Sequence, residues 1–282
     1  MSASPTTAQA SEAERRKLAE LLYQRTGMVF GEVKQYYIDR RIADRMAATG
    51  ALTFADYYRR VRADSDELEA LINAFTVNET YFYREEHQLR CLSRDLLPAI
   101  VTTRGPGDRV RIWSVPCSTG EEPYSIAIWL LENWRMVDAY NVEIVGSDID
   151  TRVLEDAAFG EYGERALARL PREVVERYFE PAHKGGRRII QDLRESVTFT
   201  QANLIDAASM ARQGEFDVVF CRNVLIYFDE QSRRTAAANI RAAVRPGGFV
   251  CLGHSESMSR ISGGFLARRF EDAIVYQRPE QG

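Results

Sequence analysis

Two adjacent glutamates follow an apolar strand candidate, within the segment 114–124 (SVPCSTGEEPY). This segment contains one glycine, Gly120, and so lacks the Gly-x-Gly-x-x-Gly pattern with which dinucleotide sites cradle a pyrophosphate. Glu121 and Glu122 would also repel an anion at that place. The pair therefore favours a ligand that carries positive charge and no phosphate, and S-adenosylmethionine has a sulfonium and an ammonium group. Either glutamate alone could equally compensate the dipole of a following helix.

A second acidic site ends the next strand candidate, in the segment 146–150 (GSDID). A carboxylate at the end of a parallel strand can accept hydrogen bonds from both hydroxyls of an adenosine ribose. Asp150 precedes a helical pattern and is a favoured helix N-cap residue. We therefore assign Asp148 to the ribose and Asp150 to the start of the helix, an assignment that suits any adenosine cofactor.

Polar side chains also interrupt an apolar run at the end of a later strand candidate, in the segment 221–229 (CRNVLIYFD). An isolated tyrosine such as Tyr227 is more often a core aromatic whose hydroxyl finds a hydrogen-bond partner. Its position near the expected cofactor cleft favours a part in the chemistry instead.

Composition and spacing argue against several other kinds of site. The net charge of −4 gives no global electrostatic reason to bind nucleic acid or an anionic membrane. The longest nearly apolar run, about residues 124–131, is far shorter than a membrane-spanning helix. The cysteines and histidines lack metal-ligand spacing, so we predict no metal, reduced thiols and a cytoplasmic protein. These residues are Cys91, Cys117, Cys221, Cys251, His87, His183 and His254.

The first part of the chain has only helical periodicity, from Ser11 to about residue 75. Ser11 and Glu14 form a capping-box pattern, and Gly27 suits the end of the first helix. Further helices are predicted at about 33–48, 53–61, 66–75 and 85–101.

Beyond residue 105 the pattern changes to short apolar strands separated by helical segments, which predicts a mainly parallel α/β sheet covered on both faces. The strand candidates are 110–115, 142–146, 197–200, 216–221 and 249–252, with a turn at 245–248 and a terminal antiparallel pair at 265–270 and 274–277. The expected divisions are a disordered tail at 1–11, a helical domain at 12–75, a linker and connecting helix at 76–105, and a sheet domain at 106–282 with a small β-subdomain at about 178–200.

Five segments taken together are more specific than any one of them: 78–84 (NETYFYR), 118–125 (STGEEPYS), 147–151 (SDIDT), 221–229 (CRNVLIYFD) and 253–256 (GHSE). In this order they resemble the motifs of the chemotaxis receptor methyltransferases, the CheR family. The resemblance covers about residues 18–277, although Pro116 departs from the small residue expected at its place. It implies a class I S-adenosylmethionine methyltransferase with a Rossmann-like sheet, an N-terminal all-helical domain and an inserted β-subdomain.

The resemblance also implies an activity and a set of site residues. The activity is methyl transfer from S-adenosylmethionine to receptor glutamates, which yields glutamate methyl esters and S-adenosylhomocysteine. The implied cofactor residues are Asn78, Thr80 and Arg84 as a cover, Glu122 at the methionine end, Asp148 at the ribose, Asn203 and Leu204 at the adenine, and Arg222 and Asn223 near the methionyl group. Arg84 and Tyr227 would lie closest to the transferred methyl, and Glu121 is the other candidate for the methionine end.

Simpler structural roles stay open for some of these residues. Thr80 could cap the next helix, Leu204 could belong to the core, and Arg84 could form an ion pair with Glu85 or Glu86. Two other functions also stay open. A catalytically silent receptor-binding adaptor would keep this fold, whereas a nucleotide-dependent oxidoreductase is disfavoured by the paired glutamates beside the first strand.

A glutamate carboxylate has an unperturbed pKa near ~4.3 and is already ionised at neutral pH, so the implied reaction needs no general base. The task of such an enzyme is to align the carboxylate oxygen, the methyl carbon and the sulfur. Arg84 could hold the substrate carboxylate by charge-assisted hydrogen bonds, and Tyr227 could orient it.

The helical domain carries a local excess of basic residues that suits an acidic receptor. Between residues 34 and 62 there are seven basic side chains and three acidic ones. The basic residues are Lys34, Arg40, Arg41, Arg45, Arg59, Arg60 and Arg62. Arg41 and Arg45 stand one helical turn apart and share a face, which predicts a receptor-binding surface, although a solvated face would give the same pattern.

The predicted β-subdomain bears on how a receptor is found. Some family members grip a C-terminal receptor pentapeptide there as an added strand. The turn at 181–186 (PAHKGG) is short in this chain. We therefore expect an enzyme that binds the cytoplasmic helical domain of its receptor directly, without a pentapeptide tether.

Overall fold

The computed structural model describes residues 11–29, 35–261 and 263–280. These residues form two compact units. The smaller unit contains the described residues up to Val77 together with Tyr227–Asp229, and the larger unit contains Asn78–Ile226 and the described residues from Glu230 onwards. The tail expected at 1–11 lies outside the described residues apart from Ser11, and so does Lys34.

The smaller unit is helical, as the periodicity predicts. Its helices are α1 (Glu12–Thr26), α2 (Gln35–Thr49), α3 (Phe54–Ala63) and α4 (Ser65–Phe75). Ser11 caps α1 through a capping box with Glu14, and Gly27 ends the helix at a φ of 73°. Packing of the apolar helix faces into one core supplies most of the helical stability. The core includes Leu18, Leu22, Ile42, Tyr57, Leu71 and Phe75.

The segment Tyr227–Asp229 joins the smaller unit although it lies far along the chain. The carbonyl oxygen of Tyr227 accepts a hydrogen bond from the Val29 amide at 2.8 Å. The Tyr23 hydroxyl donates to Asp229 Oδ2 at 2.9 Å. Tyr227 therefore belongs to the helical unit, which its place after a strand of the sheet domain did not predict.

The larger unit contains a main sheet and a small one. Its strands are β1 (Arg109–Ser114), β2 (Asn141–Asp148), β3 (Glu161–Tyr162), β4 (Phe179–Pro181), β5 (Arg187–Ile189), β6 (Val197–Gln201), β7 (Phe216–Cys221), β8 (Val244–Leu252), β9 (Leu266–Arg269) and β10 (Ile274–Gln277). The described strands of the main sheet have the order β6-β2-β1-β7-β8-β10-β9. Along this order the neighbours from β6 through β2, β1 and β7 to β8 pair in parallel, and β9 pairs antiparallel with β10, as the sequence predicts. β10 also pairs antiparallel with β8.

Helices connect these strands, as expected for an α/β fold. They are α5 (Glu86–Cys91), α6 (Leu97–Val101), α7 (Glu121–Asn133), α8 (Thr151–Phe159), α9 (Glu164–Leu167), α10 (Arg172–Tyr178), α11 (Gln191–Ser196), α12 (Ala207–Ala211) and α13 (Glu230–Ala243). A π-helical segment, Leu92–Leu96, joins α5 to α6, so the predicted helix at 85–101 continues through a local change of hydrogen-bond pattern.

Residues 78–105 differ from the expected linker. They belong to the larger unit, and their apolar side chains lie in its main core. Phe82, Leu89, Leu92 and Leu96 are fully or almost fully buried. The helical segment at 86–101 buries its apolar side chains in the core of the larger unit. The boundary between the units therefore falls after Val77, well before residue 106, where the sheet domain was predicted to start.

The small sheet also begins earlier than the expected 178–200. Its strand order is β3-β5-β4, so its first strand is Glu161–Tyr162, whereas the end of the expected range is β6 of the main sheet. A strand of two residues is too short to show the alternation that indicates β structure. The sequence therefore shows only the β4 and β5 part of this subdomain.

The turn expected at 245–248 lies within β8. The pairing of β7 with β8 passes from Phe216 opposite Val244 to Val218 opposite Phe249, so the Pro-Gly-Gly segment bulges from the strand. None of the described helices is both long and apolar enough to cross a membrane. All four cysteines are free and buried.

Candidate cofactor site

Strands β2, β1 and β7 are neighbours in the main sheet, and the loops that follow them meet at one edge. Ser114 at the end of β1 pairs with Gly146 of β2 on one side and with Phe220 of β7 on the other. In open parallel sheets, ligands bind outside the carboxyl ends of the strands. The acidic segments chosen from the sequence therefore lie together at the edge where a ligand is expected.

A buried ion pair joins the loops after β1 and β7. Glu122, in the first turn of α7, accepts a hydrogen bond from the Ser114 hydroxyl at 2.8 Å on one carboxylate oxygen. Arg222 Nε donates to its other oxygen. Both charged side chains are buried. The pair presents a negative and a positive group side by side at the end of two adjacent strands.

Glu121 is more deeply buried than Glu122 and has no counter-charge. Its side chain is 4% exposed and accepts a hydrogen bond from the Thr119 hydroxyl at 2.6 Å. Within the described residues no basic side chain forms an ion pair with it. Burial raises the pKa of Glu121, because the ionised form loses its hydration. Glu121 is thus a buried carboxyl group to which the described residues supply a hydrogen bond but no cation.

Asp148 ends β2 and is 3% exposed. Its carboxylate accepts hydrogen bonds from the backbone amides of Ser118, at 2.9 Å, and Asp150, at 3.0 Å. Burial nevertheless raises the pKa of Asp148 to about 6, since desolvation outweighs these hydrogen bonds. Asp148 thus joins the loop after β1 to the loop after β2.

Asp150 has the structural role that the sequence predicts. Its side chain caps α8 by accepting a hydrogen bond from the Arg152 amide at 3.0 Å. It also accepts a hydrogen bond from Asn78 Nδ2 at 3.1 Å. The carbonyl of Asn78 in turn accepts a bond from the Ser118 hydroxyl at 3.3 Å. Asn78 is therefore held against the loops after β1 and β2.

The loop after β1 contains one glycine, Gly120, and this position has no room for a side chain. Gly120 has a φ of 92°, and a Cβ there would lie 2.9 Å from the Cβ of Ala157 on α8. Without a side chain, the loop can pack closely against α8 and begin α7 at Glu121. The Val115–Pro116 peptide bond before this loop is cis.

Arg84 is half-buried and does not form the ion pair considered from the sequence. Its guanidinium donates to the carbonyl oxygen of Glu79 at 2.9 Å and lies 5.7 Å from the centre of the Tyr81 ring. Glu86 pairs with Arg90 instead. The charge of Arg84 is thus not neutralised by a carboxylate within the described part of the chain.

Thr80 does not act as the helix cap considered for it, because α5 starts at Glu86 and its N-cap residue, Glu85, makes no side-chain capping bond. Leu204 is buried, and its carbonyl oxygen accepts a hydrogen bond from Asn239 Nδ2 at 2.8 Å. Asn203 lies in the loop after β6, where its Oδ1 accepts a bond from the Ile205 amide at 3.2 Å. This loop follows the strand next to β2, so it is close in the sheet to Asp148.

Glu256 is an important residue of this edge that the sequence did not single out. Its carboxylate accepts hydrogen bonds from four backbone amides, those of Asn223, Val224, Leu225 and Gly253, at 2.7–3.0 Å. It thereby fixes the loop after β7, in which Asn223 has a φ of 59°. A glutamate three residues after the glycine that follows β8, in the segment 253–256 (GHSE), is the signal that could have identified it.

The predicted receptor surface is altered by a structural role for Arg45. Its guanidinium donates two hydrogen bonds to Glu67, at 3.0 and 2.5 Å, and its side chain is 25% exposed. The hydroxyl of Tyr57 donates to the same carboxylate at 3.0 Å. Arg45 therefore neutralises a buried carboxylate inside the helical unit and is not a free receptor contact.

The other described residues of the predicted receptor surface are more available. Arg41 lies over the Tyr37 ring, 4.2 Å from its centre. Arg59 pairs with Asp56, and Arg60 lies 3.7 Å from Asp64, in exposed ion pairs that contribute little stability. Arg40 is exposed and has no ionic or hydrogen-bonding partner among residues 11–29, 35–261 and 263–280.

The charged groups at this edge of the sheet fit S-adenosylmethionine. Three buried carboxylates, those of Glu121, Glu122 and Asp148, and one buried guanidinium, that of Arg222, lie on the segments at these strand ends. A ligand with a sulfonium, an ammonium and a carboxylate would balance such a site better than one with phosphates. The open α/β sheet and this site are those of an S-adenosylmethionine-dependent methyltransferase.

Comparison with known proteins defines the family. Residues 78–271 match the CheR methyltransferase SAM binding domain, and residues 13–76 match the CheR methyltransferase all-alpha domain. The chain belongs to the CheR methyltransferase family. It is 46% identical to chemotaxis protein methyltransferase 2 of Vibrio cholerae serotype O1 over 94% of this chain and 93% of the relative. It is 38% identical to the chemotaxis protein methyltransferase of Klebsiella aerogenes over 92% of this chain and 88% of the relative.

Proposed function

We propose that this protein transfers the methyl group of S-adenosylmethionine to glutamate side chains of chemotaxis receptors and so forms glutamate methyl esters. The match of both domains to one family, with relatives named chemotaxis protein methyltransferase, carries this proposal. The buried, carboxylate-rich strand edge supports it independently, because it suits a cationic cofactor. The ester product would require a carboxylate substrate held beside that edge.

The ion pair between Glu122 and Arg222 suits the methionine end of the cofactor. That end is zwitterionic, so its ammonium can approach Glu122 while its carboxylate approaches Arg222. A carboxylate has about four acceptor positions, so Glu122 retains some beyond its bonds to Ser114 and Arg222. Glu121, which has no cation of its own, is the second candidate for the ammonium.

The remaining cofactor residues follow the strand order. Asp148 at the end of β2 would accept hydrogen bonds from the ribose hydroxyls, and Asn203 and Leu204 after β6 would border the adenine. Asn78 and Thr80 would cover the site from the segment before α5. Asn223, whose backbone amide is bound by the carboxylate of Glu256, would contact the methionyl group.

When bound, S-adenosylmethionine supplies an electrophilic methyl group on a positively charged sulfur. The residues of this chain have to hold an ionised glutamate in line with that group and need not remove a proton. Arg84 suits this task, since its guanidinium has no internal carboxylate partner in the described residues and can donate two hydrogen bonds to a carboxylate. Tyr227 would orient the carboxylate or the sulfur through its hydroxyl.

Receptor recognition would use the helical unit. The exposed Arg40, with Arg41, Arg59 and Arg60, can attract an acidic helical surface on the cytoplasmic part of a receptor. Arg45 would contribute only indirectly, because it is bound to Glu67. Neither nucleic acid nor insertion into the membrane has a part in this proposal.

We propose further that the receptor is bound without a pentapeptide tether. An added strand needs a free edge, and the edges of the small sheet are β3 and β4. β3 has two residues, and β4 has three and ends in Pro181, which has no amide hydrogen to donate. The loop between β4 and β5 is closed by a hydrogen bond from the Ala182 amide to Gly186 O at 2.9 Å.

A methyl-transfer assay tests the proposal. The protein is incubated with receptor-containing membranes and tritiated S-adenosylmethionine, and base-labile label is counted in the receptor, because methyl esters release methanol in base. Membranes whose receptors carry glutamine or alanine at the methylation sites are the control. Label in the wild-type receptor alone supports glutamate methylation. Receptor binding without any label would instead indicate a silent adaptor, and calorimetry with S-adenosylmethionine, S-adenosylhomocysteine and NAD would identify the cofactor class.

A further inference from the structure

The backbone around Arg84 adopts an unusual conformation. Tyr83 and Glu85, the residues on either side of it, have φ values of 57° and 54°. Residues other than glycine rarely adopt positive φ, and such a conformation persists only where the surroundings hold it. The turn that carries Arg84 must therefore be fixed by specific contacts.

Two of these contacts hold the turn from the side of the main core. The Tyr83 amide donates to the Ser125 hydroxyl on α7 at 3.0 Å, and the Tyr83 ring meets the Trp129 ring edge-on at 5.4 Å. A third contact reaches Arg84 itself, because its carbonyl oxygen accepts a hydrogen bond from Arg222 Nη1 at 2.8 Å. The same guanidinium that pairs with the first turn of α7 thus also holds the backbone of Arg84.

The carboxylate of Glu85 lies at the centre of the remaining contacts. Its side chain is 11% exposed. One oxygen accepts a hydrogen bond from Gln88 Nε2 at 2.9 Å and lies 3.7 Å from Arg222 Nη1. The other oxygen lies 3.1 Å from Nδ1 of His254, whose side chain is 72% exposed. Glu85 therefore contacts the guanidinium that holds the preceding carbonyl.

Gln88 ties this arrangement to the sheet. Its amide nitrogen donates both to Glu85 and to the carbonyl oxygen of Leu252, the last residue of β8, at 2.7 Å. The side chain is 4% exposed. Because Nε2 has two acceptors, the amide orientation is fixed, and the carboxylate of Glu85 cannot turn away from Arg222 without breaking one of these bonds.

We propose that Glu85 is a positioning residue for methyl transfer: by holding Arg222 and the turn at 83–85 together, it sets the direction in which the Arg84 guanidinium reaches the substrate carboxylate. This inference rests on the role proposed above for Arg84. In this role Glu85 acts through Arg84 and is not itself a ligand of the cofactor or the substrate. Gln88 supports it by linking the carboxylate to the end of β8.

The variant that tests the proposal is Glu85→Gln, which keeps the size of the side chain and removes its charge. Its matched control is Glu86→Gln, because Glu86 is the next carboxylate along the chain but is exposed and, among the described residues, has Arg90 as its ion-pair partner. We expect Glu85→Gln to lower kcat for receptor methylation at least tenfold, with less than a threefold change in the Kd for S-adenosylmethionine. Glu86→Gln should retain kcat within twofold. The aspartate variant Glu85→Asp, which keeps the charge, should recover part of the rate.

A double-mutant cycle separates positioning from a general loss of structure. In the background of Arg84→Ala, Glu85→Gln should cost almost nothing further, because the side chain that it positions is already gone. Equal losses from Glu85→Gln with and without Arg84 would overturn the proposal, and so would wild-type kcat in Glu85→Gln. If Glu85→Gln unfolds, Gln88→Met, which removes the amide and keeps the length, is put through the same cycle. Absence of methyl transfer by the wild-type protein would refute the proposed function instead, so the two failures are distinguishable.

Discussion

Lowering the pH should weaken the binding of S-adenosylmethionine through Asp148. Burial raises the pKa of this carboxyl to about 6 in the free protein. Only the ionised form offers acceptor oxygens to both ribose hydroxyls while it also accepts the Ser118 and Asp150 amides. The cofactor would therefore bind the ionised protein, and a proton on Asp148 would have to leave first.

The size of the effect follows from that pKa. Asp148 would be about nine-tenths ionised at pH 7 and about one-tenth ionised at pH 5, so the apparent Kd should rise about tenfold, or about 1.4 kcal/mol. The sign is fixed by the ligand, since hydrogen-bond donors favour the ionised carboxylate and lower its pKa on binding. Binding near pH 6 should accordingly release protons.

Calorimetric titration at pH 5, 6 and 7 measures the affinity, and repetition in buffers of different ionisation enthalpy counts the protons released. The matched variant is Asp148→Asn, which cannot titrate and should bind more weakly at pH 7 by about 1–3 kcal/mol. Any slope that remains in this variant belongs to other buried carboxylates such as Glu121, whose pKa is also raised by burial. Affinity independent of pH in the wild-type protein would refute the assignment of Asp148 to the ribose.

Three further predictions concern catalysis and recognition. Arg84→Ala and Tyr227→Phe should fold normally by circular dichroism yet methylate receptors more slowly, and wild-type kcat in both variants would remove them from the catalytic site. Arg40→Glu should raise the KM for receptor at low salt without a change in thermal unfolding. Arg45→Glu should instead destabilise the helical unit by about 2–4 kcal/mol, because it leaves the buried Glu67 without its cation. Equal unfolding temperatures for the two variants would contradict this distinction. Calorimetry with an Asn-Trp-Glu-Thr-Phe pentapeptide should detect no binding, and micromolar affinity would show that the short edges of the small sheet do not prevent tethering.

Much of the fold could be predicted because its signals are local. The capping box of Ser11 and Glu14 and the N-cap of Asp150 are hydrogen bonds within three residues, so the residue types reveal them directly. The strand β7 begins where its apolar run begins, since a strand buried in a parallel sheet needs apolar side chains on both faces. The five family motifs could also be recognised from the sequence, because each is a short continuous segment.

Contacts between distant segments depended on the tertiary structure. Arg222 and Glu122 are 100 residues apart, and they meet because β1 and β7 are adjacent in the sheet, an order that no local pattern sets. The pairing of Arg45 with Glu67 likewise needed the packing of α2 against α4, and this changed a predicted receptor contact into an internal ion pair.

The segment around Arg84 shows most clearly what the sequence determines and what only the tertiary structure decides. The sequence alone identified Arg84 as a candidate catalytic residue and placed it in a linker. Burial of the following helix in the main core placed it instead on the sheet unit, in a turn of positive φ. That turn is contacted by Ser125, Trp129 and Arg222, which come from distant segments of the chain. A conformation unfavourable for the isolated residues can be specified only by the contacts that the complete fold provides.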